Sequence, residues 1–356
     1  MEFNRNDVFK LTVVYDEIHK LHRDPYGRHP ERPERLDIAL NSLRSSPAWS
    51  LIKFVSTSEP NINPLLKIHE ADYVEFIKLE CSKGFHYIDP DTYVNEYTFN
   101  VAARFATSAY EVASKAATIG GLWLIMPRPG GHHAGVRGRA LGAPTLGFCI
   151  FNYAAIAAKT LLEAVRKVLI IDFDAHHGNG TQEVFWYEPN VVHIDIHEGG
   201  IYPGTGLVTD VGGSGAEGSK INIPLPAGSG DPQYMWILRK VVEPLVNVFK
   251  PEAVVVSAGF DAYVDDPLTD LEITESTYLS IGSYLNNLLK MGIIKSVVTN
   301  LEGGYGKGIS SGFKSYIEGL VGISKASMDL ITPVQPPKEL VRDLSKILQR
   351  YWGLEL

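Results

Sequence analysis

The apolar run Val168-Leu169-Ile170-Ile171 passes without a break into Asp172-Phe173-Asp174-Ala175-His176-His177-Gly178-Asn179-Gly180. A short, uninterrupted apolar run reads as a strand buried on both faces, the kind found in parallel sheets covered by helices. Alternate side chains of a strand face the same way. Asp172, Asp174 and His176 are therefore expected on one side, where Gly178 and Gly180 turn the strand into a loop. Open α/β sheets place their sites at the carboxyl ends of parallel strands. Two carboxylates buried there are costly unless a cation or hydrogen bonds compensate. Asp174 and His176 together offer an oxygen and a nitrogen ligand, most of a catalytic zinc site.

Other apolar runs end on complementary chemistry. Ala253 to Val256 leads into Ser257-Ala258-Gly259-Phe260-Asp261, so Asp261 can join Asp174 and His176 as a metal ligand and leave a position open for water or substrate. Leu122 to Met126 runs into Arg128-Pro129-Gly130-Gly131-His132-His133. Adjacent histidines on a Gly-rich turn point in different directions and suit acid/base work near neutral pH. Ile294 to Asn300 leads into Leu301-Glu302-Gly303-Gly304-Tyr305-Gly306, where Tyr305 can donate its hydroxyl to a developing oxyanion.

Further apolar runs at Leu11 to Tyr15 and Val191 to Ile196 alternate with helical patterns such as Asn152 to Ala164 and Pro232 to Phe249. This alternation predicts an α/β fold: one open, mostly parallel sheet with helices on both faces. The 356 residues contain no repeat, low-complexity tract or linker, so a single domain over 1–356 is expected. Within it, 333–356 reads as a C-terminal helical extension, with Leu340, Val341, Leu344, Ile347 and Leu348 near helical spacing. Packing on the domain is its default; a homo-oligomer contact is the alternative.

A net charge of −8 argues against general affinity for nucleic acid and suits cationic polyamines or basic peptides. Cys81 and Cys149 form no disulfide framework, which points to a reducing, cytoplasmic setting. No signal peptide or apolar span of membrane length is read in the sequence.

The motifs Gly-Gly-His132-His133-Ala, Asp172-x-Asp174-x-His176-His-Gly-Asn179-Gly, Ser-Ala-Gly-Phe-Asp261-Ala and Glu-Gly-Gly-Tyr305 resemble, in order and spacing, those of the zinc-dependent histone deacetylases. That family also includes acetylpolyamine amidohydrolases and acetoin utilisation proteins. His29-Pro30-Glu31-Arg32-Pro33-Glu34-Arg35 and Gly147-Phe148-Cys149 extend the resemblance to about residues 10–325. The resemblance implies the arginase/deacetylase-like fold and one catalytic zinc held by Asp174, His176 and Asp261. His133 is implied as general base and later acid, and His132 as its electrostatic partner, oriented by Asp172. Tyr305 is implied as the carbonyl-polarising donor, Gly147, Phe148 and Tyr202 as tunnel wall, and Arg35 as an inner-cavity arginine. A structural K+ near Asp172, Asp174 and His176 is also implied.

Asn179 stands where class I members of that family carry Asp, a class II-like and prokaryotic trait. An amide stabilises imidazolium less than a carboxylate, so a lowered His133 pKa is expected. The stretch Gly135 to Leu146, with Arg137 and Arg139, is longer than in most eukaryotic members and is expected at the site rim or an oligomer contact. Asp91 is read either as a rim carboxylate for substrate or as a turn residue. Two-manganese hydrolases of the arginase and agmatinase type need carboxylates two residues beyond the histidine and the second aspartate; here Gly178 and Tyr263 stand there, which favours one catalytic metal. The expected activity is removal of acetyl groups from acetyl-lysine in proteins or peptides, or from a related small amide. Acetylpolyamine deacetylation is the alternative, and a catalytically silent acyl-lysine-binding or scaffold protein is the alternative of another class.

Overall fold

Eight parallel strands form the central sheet: β1 Leu11–Val14, β2 Ile52–Val55, β3 Gly121–Ile125, β4 Val168–Asp172, β5 Val191–Glu198, β6 Lys220–Leu225, β7 Ala253–Ala258 and β8 Ser296–Leu301. The computed structural model describes residues 9–324 and 331–356. Across the sheet the order is β6-β5-β4-β7-β8-β3-β1-β2, and every neighbouring pair is parallel.

Alternate residues of each central strand feed different cores. Leu169, Ile171, Val254, Val256, Leu122 and Leu124 pack with the helices Glu34–Arg44, Glu275–Lys290 and Ser311–Val321. Val168, Ile170, Val255, Ile125 and Val298 face Ala71–Ser82, Thr98–Ile119 and Tyr153–Leu161. Burial on both faces explains why these strands read as continuous apolar runs rather than alternating ones.

The two strands without such a run are the edges. In β2, Lys53 and Phe54 are exposed. β6 carries Lys220, Asn222 and Pro224, and a proline is tolerated on an edge because one side of the strand donates no ladder hydrogen bond.

The C-terminal helix Lys338–Trp352 lies on the first core through Val341, Leu344 and Leu348. Trp352 Nε1 donates to the Gly218 carbonyl at 2.7 Å. Among the described residues no helix is long and apolar enough to cross a membrane.

The four strands whose ends carry the candidate chemistry are consecutive neighbours, β4-β7-β8-β3. Their ends are level: Asp172 pairs with Ser257, Ser257 with Asn300, and Asn300 with Ile125.

One expectation needs correction. β4 ends at Asp172, so Asp174 and His176 lie in the loop beyond it rather than on a strand face. Asp172 Oδ1 accepts the Asp174 N–H at 3.1 Å, and Asp174 Oδ1 accepts the His176 N–H at 2.9 Å. These successive Asx turns curl the chain off the sheet and bring Asp174 and His176 over its edge.

Candidate active site

Asp174, His176 and Asp261 converge above β4 and β7, and each offers one ligand atom within 4.8 Å of the others. His176 Nδ1 lies 3.2 Å from Asp174 Oδ1 and 3.0 Å from Asp261 Oδ2. The second oxygen of each carboxylate is engaged elsewhere: Gly303 N donates to Asp174 Oδ2 at 2.7 Å, and Ala175 N to Asp261 Oδ1 at 2.9 Å. Each aspartate thus presents one oxygen to a shared point. Both carboxylates are buried; burial raises Asp261, and the charge of neighbouring Asp174 raises it further. Burial opposes charge on His176 as well, but hydrogen bonds to both carboxylates raise the imidazole to about 10. Once His176 gives up that proton, two carboxylates and one neutral imidazole fit a divalent cation, which would take the proton's place between the acids.

The histidine pair occupies the turn after β3. His132 Nδ1 meets Asp172 Oδ2 at 3.0 Å, and His133 Nδ1 meets Asn179 Oδ1 at 2.8 Å. Burial opposes charge on both rings, with opposite outcomes. The Asp172 and Asp174 carboxylates overcome it at His132 and hold that imidazole well above its usual range. His133 has no carboxylate partner; burial and the neighbouring imidazoles of His132 and His176 hold it well below that range. The site therefore pairs a cationic imidazole with a neutral one.

Tyr305 follows β8. Asp266 Oδ2 accepts its backbone N–H at 2.8 Å and that of Gly306 at 2.9 Å. Burial pushes the phenol well above its ordinary pKa, so it stays a proton donor. Arg35, implied as an inner-cavity arginine, packs against the Tyr305 loop. It is buried, donates from Nε to the Gly304 carbonyl at 2.7 Å and from Nη2 to the Glu302 carbonyl at 2.6 Å, and lies 4.5 Å from the centre of the Tyr305 ring.

Gly147, Phe148 and Tyr202 lie against His133 and Tyr305. The Phe148 ring meets Tyr305 edge-on at 5.9 Å, and Tyr202 meets His133 edge-on at 4.9 Å. A Cβ on Gly147, whose φ is +56°, would lie 2.6 Å from His133 Cδ2 and from Tyr202 Cε1, so no side chain fits there. Tyr202 is held by a hydrogen bond to the Thr145 carbonyl at 3.0 Å. His176 is the least buried member of the metal group, 14% exposed, and marks the side from which the site is reached.

Several functional positions escaped the sequence reading. Glu302 Oε2 accepts Gly131 N at 2.9 Å and His132 N at 3.2 Å, supporting the histidine turn from below. Its place just before Gly303-Gly304-Tyr305 was the available signal. Asp266 gave none, because it sits in an unremarkable polar stretch that only the fold brings under Tyr305. The Asp91 carboxylate is held by two hydroxyls: Thr92 Oγ1 donates to its Oδ1 at 2.7 Å and Thr145 Oγ1 to its Oδ2 at 2.5 Å. Arg137 pairs with Glu70 at 2.7 Å, and Arg139 reaches the Pro144 carbonyl at 3.2 Å, so neither arginine touches the histidines or the metal group.

A second buried group, Asp172, His193 and Asp195, lies behind the first. Both nitrogens of His193 lack a hydrogen-bond partner.

The family model of the histone deacetylase domain matches residues 29–320. The chain belongs to the histone deacetylase family. An uncharacterized protein of Methanocaldococcus jannaschii is 41% identical over 92% of this chain and 94% of its own length. A probable deacetylase of Archaeoglobus fulgidus is 35% identical over 82% of this chain and 80% of its own. The crystal structure of the HDA15 HD domain superposes with a TM-score of 0.84 at 33% identity, covering 97% of this chain and 96% of that one. Membership of the histone deacetylase family makes the chain a deacetylase-type hydrolase with the α/β fold of that structure.

Proposed function

We propose that this chain is a zinc-dependent amidohydrolase that removes the acetyl group from the side-chain amine of acetyl-lysine in proteins or peptides. The observation that carries this reading is the convergence, at four level strand ends, of a single-metal ligand set, a cationic and a neutral histidine, and a protonated tyrosine. Asp174, His176 and Asp261 would hold zinc, which when bound would supply a Lewis acid for the acyl carbonyl and for the attacking water. His133 accepts the proton of the attacking water at Nε2, since its Nδ1 is turned to Asn179. The protonated ring then delivers that proton to the departing amine. His132, kept cationic by Asp172, stabilises negative charge gathering at the carbonyl, and the Tyr305 phenol donates to the same oxygen. Phe148 and Tyr202 flank an approach suited to a linear alkyl chain.

The buried carboxylates of Asp172 and Asp195 support the reading of a structural K+ near Asp172, Asp174 and His176. Both cysteines are free and buried, in keeping with a cytoplasmic location.

A comparison of acetyl-lysine peptides with N-acetylated polyamines, using zinc-loaded wild type beside Tyr305→Phe and His133→Ala, tests the proposal. Wild type should release amine from the peptide and both variants should be severely impaired. Turnover confined to the polyamine would replace the substrate; equal rates in all three proteins would overturn the reading.

A further inference from the structure

Asn179 has a partner besides His133. While its Oδ1 faces His133 Nδ1 at 2.8 Å, its Nδ2 donates to the Ala140 carbonyl at 2.9 Å. A carbonyl oxygen only accepts, so Ala140 decides which end of the amide is which. The NH2 must face Ala140, and the amide oxygen must face the imidazole. That oxygen also only accepts, so His133 must carry its proton on Nδ1 and keep the lone pair on Nε2.

Ala140 is itself held in place. Glu183, four residues after Asn179 on the short helix Asn179–Val184, accepts the Val136 N–H and the Leu141 N–H, each at 3.0 Å. His69 Nδ1 meets the Gly135 carbonyl at 2.8 Å. Leu141 has a φ of +51°, a conformation that a non-glycine residue keeps only when its surroundings fix it. The latch is also close-packed, since a Cβ on Gly135 would lie 2.4 Å from Glu183 Oε1.

We propose that the segment 135–146 is a positioning element for the base. Glu183 latches its backbone, the Ala140 carbonyl orients the Asn179 amide, and the amide locks His133 in the Nδ1–H tautomer with Nε2 free. The longer loop and the asparagine, separate features in the sequence, thus form one device. An aspartate at 179 would set an acceptor against the Ala140 carbonyl and could not close the latch. The kinetic part of this inference rests on His133 being the base; the tautomer lock does not.

The test uses the zinc-loaded full chain, with 15N-labelled histidine spectra for the His133 tautomer, amide hydrogen exchange over 136–141, and kcat and KM. Wild type should show one His133 tautomer, Nδ1–H. Glu183→Gln turns one acceptor of the latch into a donor. It should speed exchange at Val136 or Leu141 about tenfold, the factor for one lost hydrogen bond. The tautomer should become mixed, and kcat should fall with KM unchanged. Asn179→Asp should likewise raise exchange at Leu141, and it decides alone should Glu183→Gln not fold. Unchanged exchange in a folded variant overturns the latch. Faster exchange with His133 still wholly Nδ1–H in Glu183→Gln overturns the lock. The spectra and exchange decide these points even if no acetylated substrate is turned over.

Discussion

The Arg35 guanidinium lies 4.5 Å from the centre of the Tyr305 ring while holding the Glu302 and Gly304 carbonyls of the same loop. Arg35 starts near the N-terminus of the helix Glu34–Arg44, and Tyr305 follows the β8 strand end. One buried cation therefore ties the Tyr305 loop to a distant part of the chain. Arg35→Ala should lower stability by about 1.5–3 kcal/mol for each charged hydrogen bond lost and should reduce kcat more than it raises KM. Arg35→Lys should recover only part of both, because an ammonium lacks the planar fork that reaches two carbonyls. Urea unfolding with steady-state kinetics checks this, and an Arg35→Lys variant equal to wild type in both would contradict it.

Tyr305→Phe removes a donor without changing the packing of the ring. A loss of about 10²–10³ in kcat is expected, as for other oxyanion donors. The unfolding midpoint should hardly move. Parallel kinetics and thermal melts separate the two effects, and a drop of less than about threefold would remove Tyr305 from the chemistry.

Asp261→Asn should deplete the catalytic ion, because it replaces one of two anionic ligands. Elemental analysis is expected to find about one zinc per chain in wild type and markedly less in the variant. Chelation of wild type should abolish turnover, and added zinc should restore it. Two equivalents of transition metal per active chain would argue for a bimetallic site instead.

Asn179→Asp places a carboxylate beside His133 and so favours its charged form. The base is active when neutral, and a raised pKa means that higher pH is needed to free it. The acidic limb of the kcat/KM profile should shift upward in the variant. A pH–rate comparison decides; an unmoved limb, or one shifted to lower pH, would refute the pairing.

Acid should destabilise the fold through its buried neutral histidines. Burial lowers His22, His69 and His177 from 6.5 to about 4. The folded state then binds fewer protons than the unfolded chain between these values. Their stabilising contribution is complete above pH 6.5 and is lost as pH falls toward 4, by roughly 3 kcal/mol for each group. Melting temperatures across this window should fall steeply as pH falls, and His69→Gln should flatten the decline. A flat profile for wild type would show that these rings are not held neutral.

Much of this chemistry was legible in the chain because buried strands and their ends leave plain marks. A run such as Val168 to Ile171 is apolar throughout, since both its faces are covered, and an aspartate or histidine at its end stands out. The edge strands β2 and β6 left no such mark, as Lys53 in one and Asn222 and Pro224 in the other interrupt their apolar pattern. Supporting residues were equally silent. Asp266 and Glu183 carry ordinary loop or helix side chains whose partners are backbone groups far away in sequence.

By itself the sequence determined the α/β class and marked Asp174, His176, Asp261, the histidine pair and Tyr305 as candidates, because local period and residue chemistry encode these directly. It did not determine that β4, β7, β8 and β3 are neighbours with level ends, which is what turns separate motifs into one site. Nor did it determine what Arg35 and Ala140 hold. Those relationships are hydrogen bonds to main-chain groups, which every residue possesses, so side-chain identity carries no record of them and only the tertiary structure selects the pair that meets.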